Sequence, residues 1–103
     1  MIDRRFASRR PIQVFFNKYL RGYPYLCRSL DLSVRGALAL TFCEPEQPLS
    51  SFPVELRLPG APDSVWVWAR GVWRQDGKQA IEFVKLEASD ERRLGEFLCR
   101  IAA

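Results

Sequence analysis

The sequence contains no histidine, and its three cysteines, Cys27, Cys43 and Cys99, stand far apart. Without histidine the commonest general base and the commonest metal ligand are missing. An odd number of widely spaced cysteines argues against a disulfide framework and against a zinc site. All three lie in apolar stretches and read as buried free thiols. There is no glycine-rich phosphate loop, and no cysteine with a base partner, so an enzyme is not expected and no cofactor is called for. No apolar run reaches the roughly 18 residues that a membrane helix needs, and Met1-Ile2-Asp3-Arg4 does not open a signal peptide. A soluble, cytoplasmic protein without membrane insertion is the expectation.

Lysine is scarce as well. Three lysines (18, 78 and 85) stand against thirteen arginines, for a net charge of +4. The imbalance is chemically specific. The guanidinium is a planar fork that grips a phosphate or a base edge and stacks on flat rings, and an ammonium does neither as well. A genome that favours arginine codons would give the same bias. Hydrophobic residues make up 48% of the 103. That suffices for one packed core and one domain.

Residues 1–10 are basic, with the cluster Arg4-Arg5-Phe6-Ala7-Ser8-Arg9-Arg10, and lack apolar periodicity. They read as a flexible arm outside a folded unit that spans 11–103. Pro11 to Phe16 starts a strand, and Lys18 to Pro24 reads as a loop because it holds Gly22 and Pro24. Tyr25 to Leu30 and Ala37 to Phe42 are strands around a polar turn, Asp31-Leu32-Ser33-Val34-Arg35-Gly36. Phe52 to Leu58 alternates apolar and polar residues, as a half-buried strand does. Val65 to Arg74 is a long strand with a bend expected at Gly71. Asp76-Gly77 is a strong hairpin signal, with a returning strand over Gln79 to Leu86. The period then changes. Ser89 suits a helix cap, Asp90 and Glu91 suit a positive first turn, and Leu94, Phe97, Leu98 and Ile101 make one apolar stripe. Six short antiparallel strands and one C-terminal helix predict an all-β fold, a six-stranded barrel closed against exposed edges.

Within that frame the Asp31–Gly36 turn stands out. Asp and Ser favour turns by bonding nearby backbone N–H groups, and an extended chain puts Asp31 and Ser33 on one side. Gly36 permits positive φ or a close approach of backbone to a ligand. Many such turns are plain strand connections. Trp66, Trp68 and Trp73 share a strand face and read mainly as core or rim packing. Arg92 and Arg93 read as solvated helix charges.

Arg5-x-x-x-Arg9 followed by Asp31-x-Ser33-x-x-Gly36 resembles the two-part signature of PilZ domains, Arg-x-x-x-Arg and then (Asp or Asn)-x-Ser-x-x-Gly, on a six-stranded barrel. Val72-Trp73, the short hairpin, Ile81-Glu82-Phe83 and the acidic-start helix extend the likeness over about residues 3–101. One departure is Ala80, where the family often has glycine, which bears on local backbone geometry. The resemblance implies a receptor for the bacterial second messenger cyclic di-GMP. It carries ligand contacts to Arg5, Arg9, Asp31, Ser33 and Gly36, with Arg4 and Trp73 as supporting positions. Arg10 and Arg35 are further basic residues whose roles the pattern does not assign. In the family, the residue just before Arg-x-x-x-Arg is linked to binding one ligand or a stacked pair. Here it is Arg4, a cation, which points to a pair.

The chemistry of the ligand suits these residues. Guanine offers two acceptors on one edge to an arginine fork, and two donors on the other to a carboxylate such as Asp31. Phosphates take charge-assisted bonds from arginine. A receptor of this size must relay its state to a downstream protein, which the sequence does not identify. Two other readings fit the same residues. One is a PilZ-like protein-interaction module without ligand binding. The other is a small basic barrel that binds RNA or single-stranded DNA through a broad basic face.

Overall fold

Two-residue turns with both residues at positive φ punctuate the chain. Such turns match the right-handed twist of the strands they join. Asp76 and Gly77 (φ 53° and 74°) form the expected one. Arg21 and Gly22 (φ 54° and 84°) form another, where the sequence suggests a longer loop. Arg21 holds a left-handed conformation that costs a side-chain-bearing residue on the order of 1 kcal/mol. The computed structural model describes residues 11–45 and 48–102.

The strands are β1 (Phe15–Leu20), β2 (Tyr23–Leu32), β3 (Gly36–Thr41), β4 (Ser51–Leu56), β5 (Val65–Gln75) and β6 (Lys78–Leu86). The helix α1 spans Ala88–Ala102. All pairings are antiparallel, and the sheet closes in the order β1-β2-β3-β6-β5-β4, with β4 back on β1. The six-stranded barrel with a C-terminal helix is therefore as expected. The bounds of its first strand are not. Lys18 to Leu20 continue β1, and Pro24 lies inside β2 opposite Tyr19. Gly22 and Pro24 punctuate a tight hairpin rather than a loop.

Inward residues follow period two. Val65, Val67 and Ala69 on β5 face Leu56, Val54 and Phe52 on β4, and all six are buried. Leu94, Phe97 and Leu98 of α1 join the same core, each contributing about 1.5–3 kcal/mol of apolar burial. Ile101, the last position of the expected stripe, is exposed. The helix packs on β5 and begins one residue before Ser89, so Ser89 is not its cap. The buried Asp90 ties it down instead. Its carboxylate accepts from the Trp66 N–H (3.3 Å) and pairs with Arg93, whose guanidinium also donates to the Asp63 and Ser64 carbonyls. Arg93 is thus an anchor rather than a solvated charge, because a guanidinium can span three acceptors at once.

Lys18 is the largest surprise inside the barrel. It occupies an inward position of β1 between Phe16 and Leu20 and is 1% exposed. Its ammonium donates to Glu44 Oε1 (2.8 Å) and Gln79 Oε1 (2.7 Å) and lies 4.9 Å from the Phe52 ring centroid. A buried ammonium is tolerated only with such partners. Of the cysteines, only Cys27 is buried; Cys43 and Cys99 are exposed, against expectation. Flanking apolar residues misled here, since Cys43 lies beyond the end of β3 and Cys99 on the outer side of α1. Burial pushes the Cys27 thiol up to about 12, so it stays protonated and unreactive. No helix among the described residues is long and apolar enough to cross a membrane.

Candidate ligand-binding site

Two β-bulges define the outer wall where the expected ligand residues lie. On β2, Ser29 pairs with Ala39 and both are buried, so Ser29 points inward. Strict alternation would turn Asp31 inward too. A register shift between Ser29 and Asp31 instead sets Asp31 opposite Leu38, which faces outward. On β5 a second shift lies between Gly71 and Trp73. Gly71 points inward opposite Ile81, and the extra residue Val72 lets Trp73 pair outward with Ala80. The bend expected at Gly71 is present and has this purpose. Bulges commonly re-aim side chains next to functional sites.

The result is one outward row across four strands: Asp31, Leu38, Ala80 and Trp73, each the cross-strand neighbour of the next. A carboxylate stands at one end and an indole, 43% exposed, at the other. Ala80 is regularly paired with both Leu38 and Trp73, so the departure from glycine leaves the ladder intact. Trp66 and Trp68 are also outward and about as exposed as Trp73. None of the three tryptophans belongs to the core; of the core or rim packing expected for them, Trp66 shows the rim kind, its ring 5.5 Å from that of Tyr19.

The turn itself is internally bonded. Asp31 Oδ1 accepts the Leu38 N–H at 3.0 Å. Asp31 and Leu32 belong to β2, so the turn proper begins at Ser33. The Ser33 N–H donates to the Gly36 carbonyl (2.9 Å), and its Oγ accepts the Arg35 N–H (3.0 Å). Ser33 is 1% exposed, so its hydroxyl shapes the turn. Gly36 does not have positive φ. A Cβ built on it would lie 2.2 Å from the Ile81 carbonyl oxygen. The close approach that demands glycine is therefore to the β6 backbone. Arg35 is exposed at the tip of the turn.

Sequence reasoning overlooked Ser29. Its N–H donates to the Val14 carbonyl (2.9 Å), its Oγ accepts the Val14 N–H (2.8 Å) and donates to the Ile12 carbonyl (2.5 Å). A lone serine in an apolar strand is the only signal that marks it. These bonds lay residues 12–14 along β2, two positions from Asp31. Arg4, Arg5, Arg9 and Arg10, and the arm assigned to residues 1–10, lie outside the described residues.

The chain belongs to the PilZ family: the model of the PilZ domain matches residues 3–100, a span that includes both arginine and Asp31–Gly36 motifs. PilZ domains are a cyclic di-GMP-binding family of receptor and adaptor modules. Among solved structures, the Bacillus subtilis inhibitor of motility (MotI/DgrA) is similar at 20% identity and a TM-score of 0.74, over 98% of this chain. The chain spans about half of that protein, 52% of its length. The PilZ domain of CeSA from a cellulose-synthesizing bacterium is similar at 17% identity and a TM-score of 0.71, covering 94% of this chain and 100% of that one. At these identities the likeness is one of fold. No curated protein matches the chain.

Proposed function

We propose that this chain is a cyclic di-GMP receptor that passes its ligand state to a partner protein. The observation that carries the reading is the pair of bulges that turns Asp31 and Trp73 onto one row of the outer wall. The row has the parts a guanine needs. A carboxylate accepts from N1–H and N2–H, and an apolar strip and an indole take its face. The arginine motif is within reach of this row. Pro11 is two residues from Arg9, about 7 Å of extended chain at most, and the Ser29 bonds bring the segment after Pro11 to the edge of the site. Ser33 and Gly36 serve the site by holding the turn in shape, and Arg35 at its tip adds a cation.

Isothermal titration with cyclic di-GMP, with GTP and single-stranded RNA as controls, tests the reading. Selective binding at micromolar affinity or better is expected. Arg9→Ala and Asp31→Ala should each weaken it by about tenfold to a hundredfold. Asp31→Ala also orphans the Leu38 N–H and should cost about 1 kcal/mol of stability. Asp31→Asn keeps that acceptor and should recover the stability. Arg92→Ala should bind as the parent does, and a loss equal to that of Arg9→Ala would reduce the site to diffuse charge. RNA binding without cyclic di-GMP binding would hand the barrel to the nucleic-acid reading.

Arg4 sets the expected stoichiometry at two intercalated ligands per chain. A stacked pair carries four phosphate charges in a small space and needs a further cation close by. Arginine can pair with a phosphate while lying flat on a guanine. The titration endpoint should therefore be two, and Arg4→Leu should move it towards one. An endpoint of one in both proteins would remove the role assigned to Arg4.

A further inference from the structure

Next to the Asp31 row lies a second outward row that no ligand motif includes. Arg28 pairs with Leu40, Leu40 with Lys78, and Lys78 with Gln75. Leu38 and Leu40 are two residues apart on β3, so the rows are about 7 Å from each other. The first row has a carboxylate, an apolar strip and an indole. The second has a cation on each side of a leucine. Among the described residues neither Arg28 nor Lys78 forms an ion pair.

Arg28 is the stronger clue. Its Nε is buried and has no hydrogen-bond partner among the described residues. A guanidinium is permanently charged, and a buried charged donor left without an acceptor is costly. Other cations on this barrel have an acidic partner: Lys18 has Glu44 and Gln79, the half-buried Arg93 has Asp90 and two carbonyls, and Arg74, whose Nε is buried like that of Arg28, has Glu44 at 3.7 Å. On β2 such an acceptor has to come from outside the described wall.

We infer that Arg28, assisted by Lys78, is a phosphate-binding row for the ligand whose guanine occupies the Asp31 row. The inference rests on the cyclic di-GMP reading and extends it to residues outside both motifs. One ribose separates a nucleotide's base from its phosphate, so a base on one row brings its phosphate to the next. A phosphate there supplies the acceptor that Arg28 Nε lacks, and the arginine fork offers it a second, parallel bond. Lys78, exposed on the hairpin side of Leu40, adds a point charge with less geometric demand. The wall then recognises base and phosphate separately, on adjacent rows of one sheet.

Titration of cyclic di-GMP into the full chain and into Arg28→Gln, Lys78→Gln and Lys85→Gln, each at low and at raised salt, decides the matter. Lys85 is seven residues from Lys78 along β6, on the order of 20 Å away, and serves as the control. Arg28→Gln should weaken binding about tenfold or more and flatten its salt dependence, and Lys78→Gln should do so about threefold. Lys85→Gln should change neither. Parent binding with Arg28→Gln and Lys78→Gln both within about twofold of it overturns the phosphate row alone. No binding by the parent overturns the receptor reading and this one together. If Arg28→Gln fails to fold, Lys78→Gln, at an exposed position, carries the decision by the same criterion.

Discussion

Replacing Lys18 by methionine should destabilise the barrel by about 3–5 kcal/mol, the range for breaking a buried ion pair by removing one partner. The ammonium is buried, and Glu44 beside it is 8% exposed, so neither group has water to fall back on. Methionine fills the volume and keeps the apolar contact with Phe52. The loss then falls on the partners. Among the described residues the Glu44 carboxylate keeps Arg74, at 3.7 Å, and Gln79 Oε1 loses its 2.7 Å donor. For a domain of about 100 residues this corresponds to a fall in Tm of roughly 12 °C or more. The paired change Lys18→Met with Glu44→Leu removes both charges and should recover part of the loss, because an apolar replacement of a whole buried pair is often neutral or favourable. Thermal unfolding of the single and double variants measures both. A single variant within 1 kcal/mol of the parent, by the scale of an exposed pair, would mean that the pair is solvated in solution.

Gly36→Ala should be nearly as damaging, and for a reason that reaches the site. The added methyl meets backbone, the Ile81 carbonyl at 2.2 Å and the Glu82 Cα at 3.2 Å, and no rotamer relieves it. β3 and β6 must part where Gly36 faces Glu82 and where the Phe83 N–H donates to the Arg35 carbonyl at 2.8 Å. Overpacking costs about 1–3 kcal/mol, and each lost ladder bond about 1 more. A fall in Tm of roughly 10–20 °C is expected. The Gly36 carbonyl also accepts the Ser33 N–H, so the displaced strand carries the turn with it. Binding of cyclic di-GMP should be lost even at temperatures where the variant is folded. A variant with the parent's Tm would show that the two strands are not held this closely.

Gly36 also shows where a sequence pattern ends. The glycine was legible, but not its reason: the pattern allows a turn, a ligand contact or a strand contact, and only the register selects the third. The strands after residue 25 were legible because their alternation is regular and Asp76-Gly77 is an unambiguous turn. β1 was not, because a lysine at an inward position breaks the apolar pattern and its partner Glu44 is 26 residues away in sequence. Asp31 and Trp73 were both legible as candidates. Their shared row was not, since each depends on a bulge that moves it to the other face, and a bulge adds one residue with no composition of its own to mark it. Ser29 and Arg28 escaped for a related cause. Both are single polar residues in an apolar strand, and their meaning lies in what comes beside them across the ladder.

The Ser29 bonds have a kinetic and thermodynamic consequence for any chemistry shared between the arginine motif and the Asp31 row. They tether one to the other through a link of a few residues, which makes their meeting an event within one molecule. For links this short the effective concentration is in the millimolar range, far above that of a free peptide in a cell. Two half-sites, each too weak to hold a small dianion alone, can then act as one whose strength is independent of protein concentration.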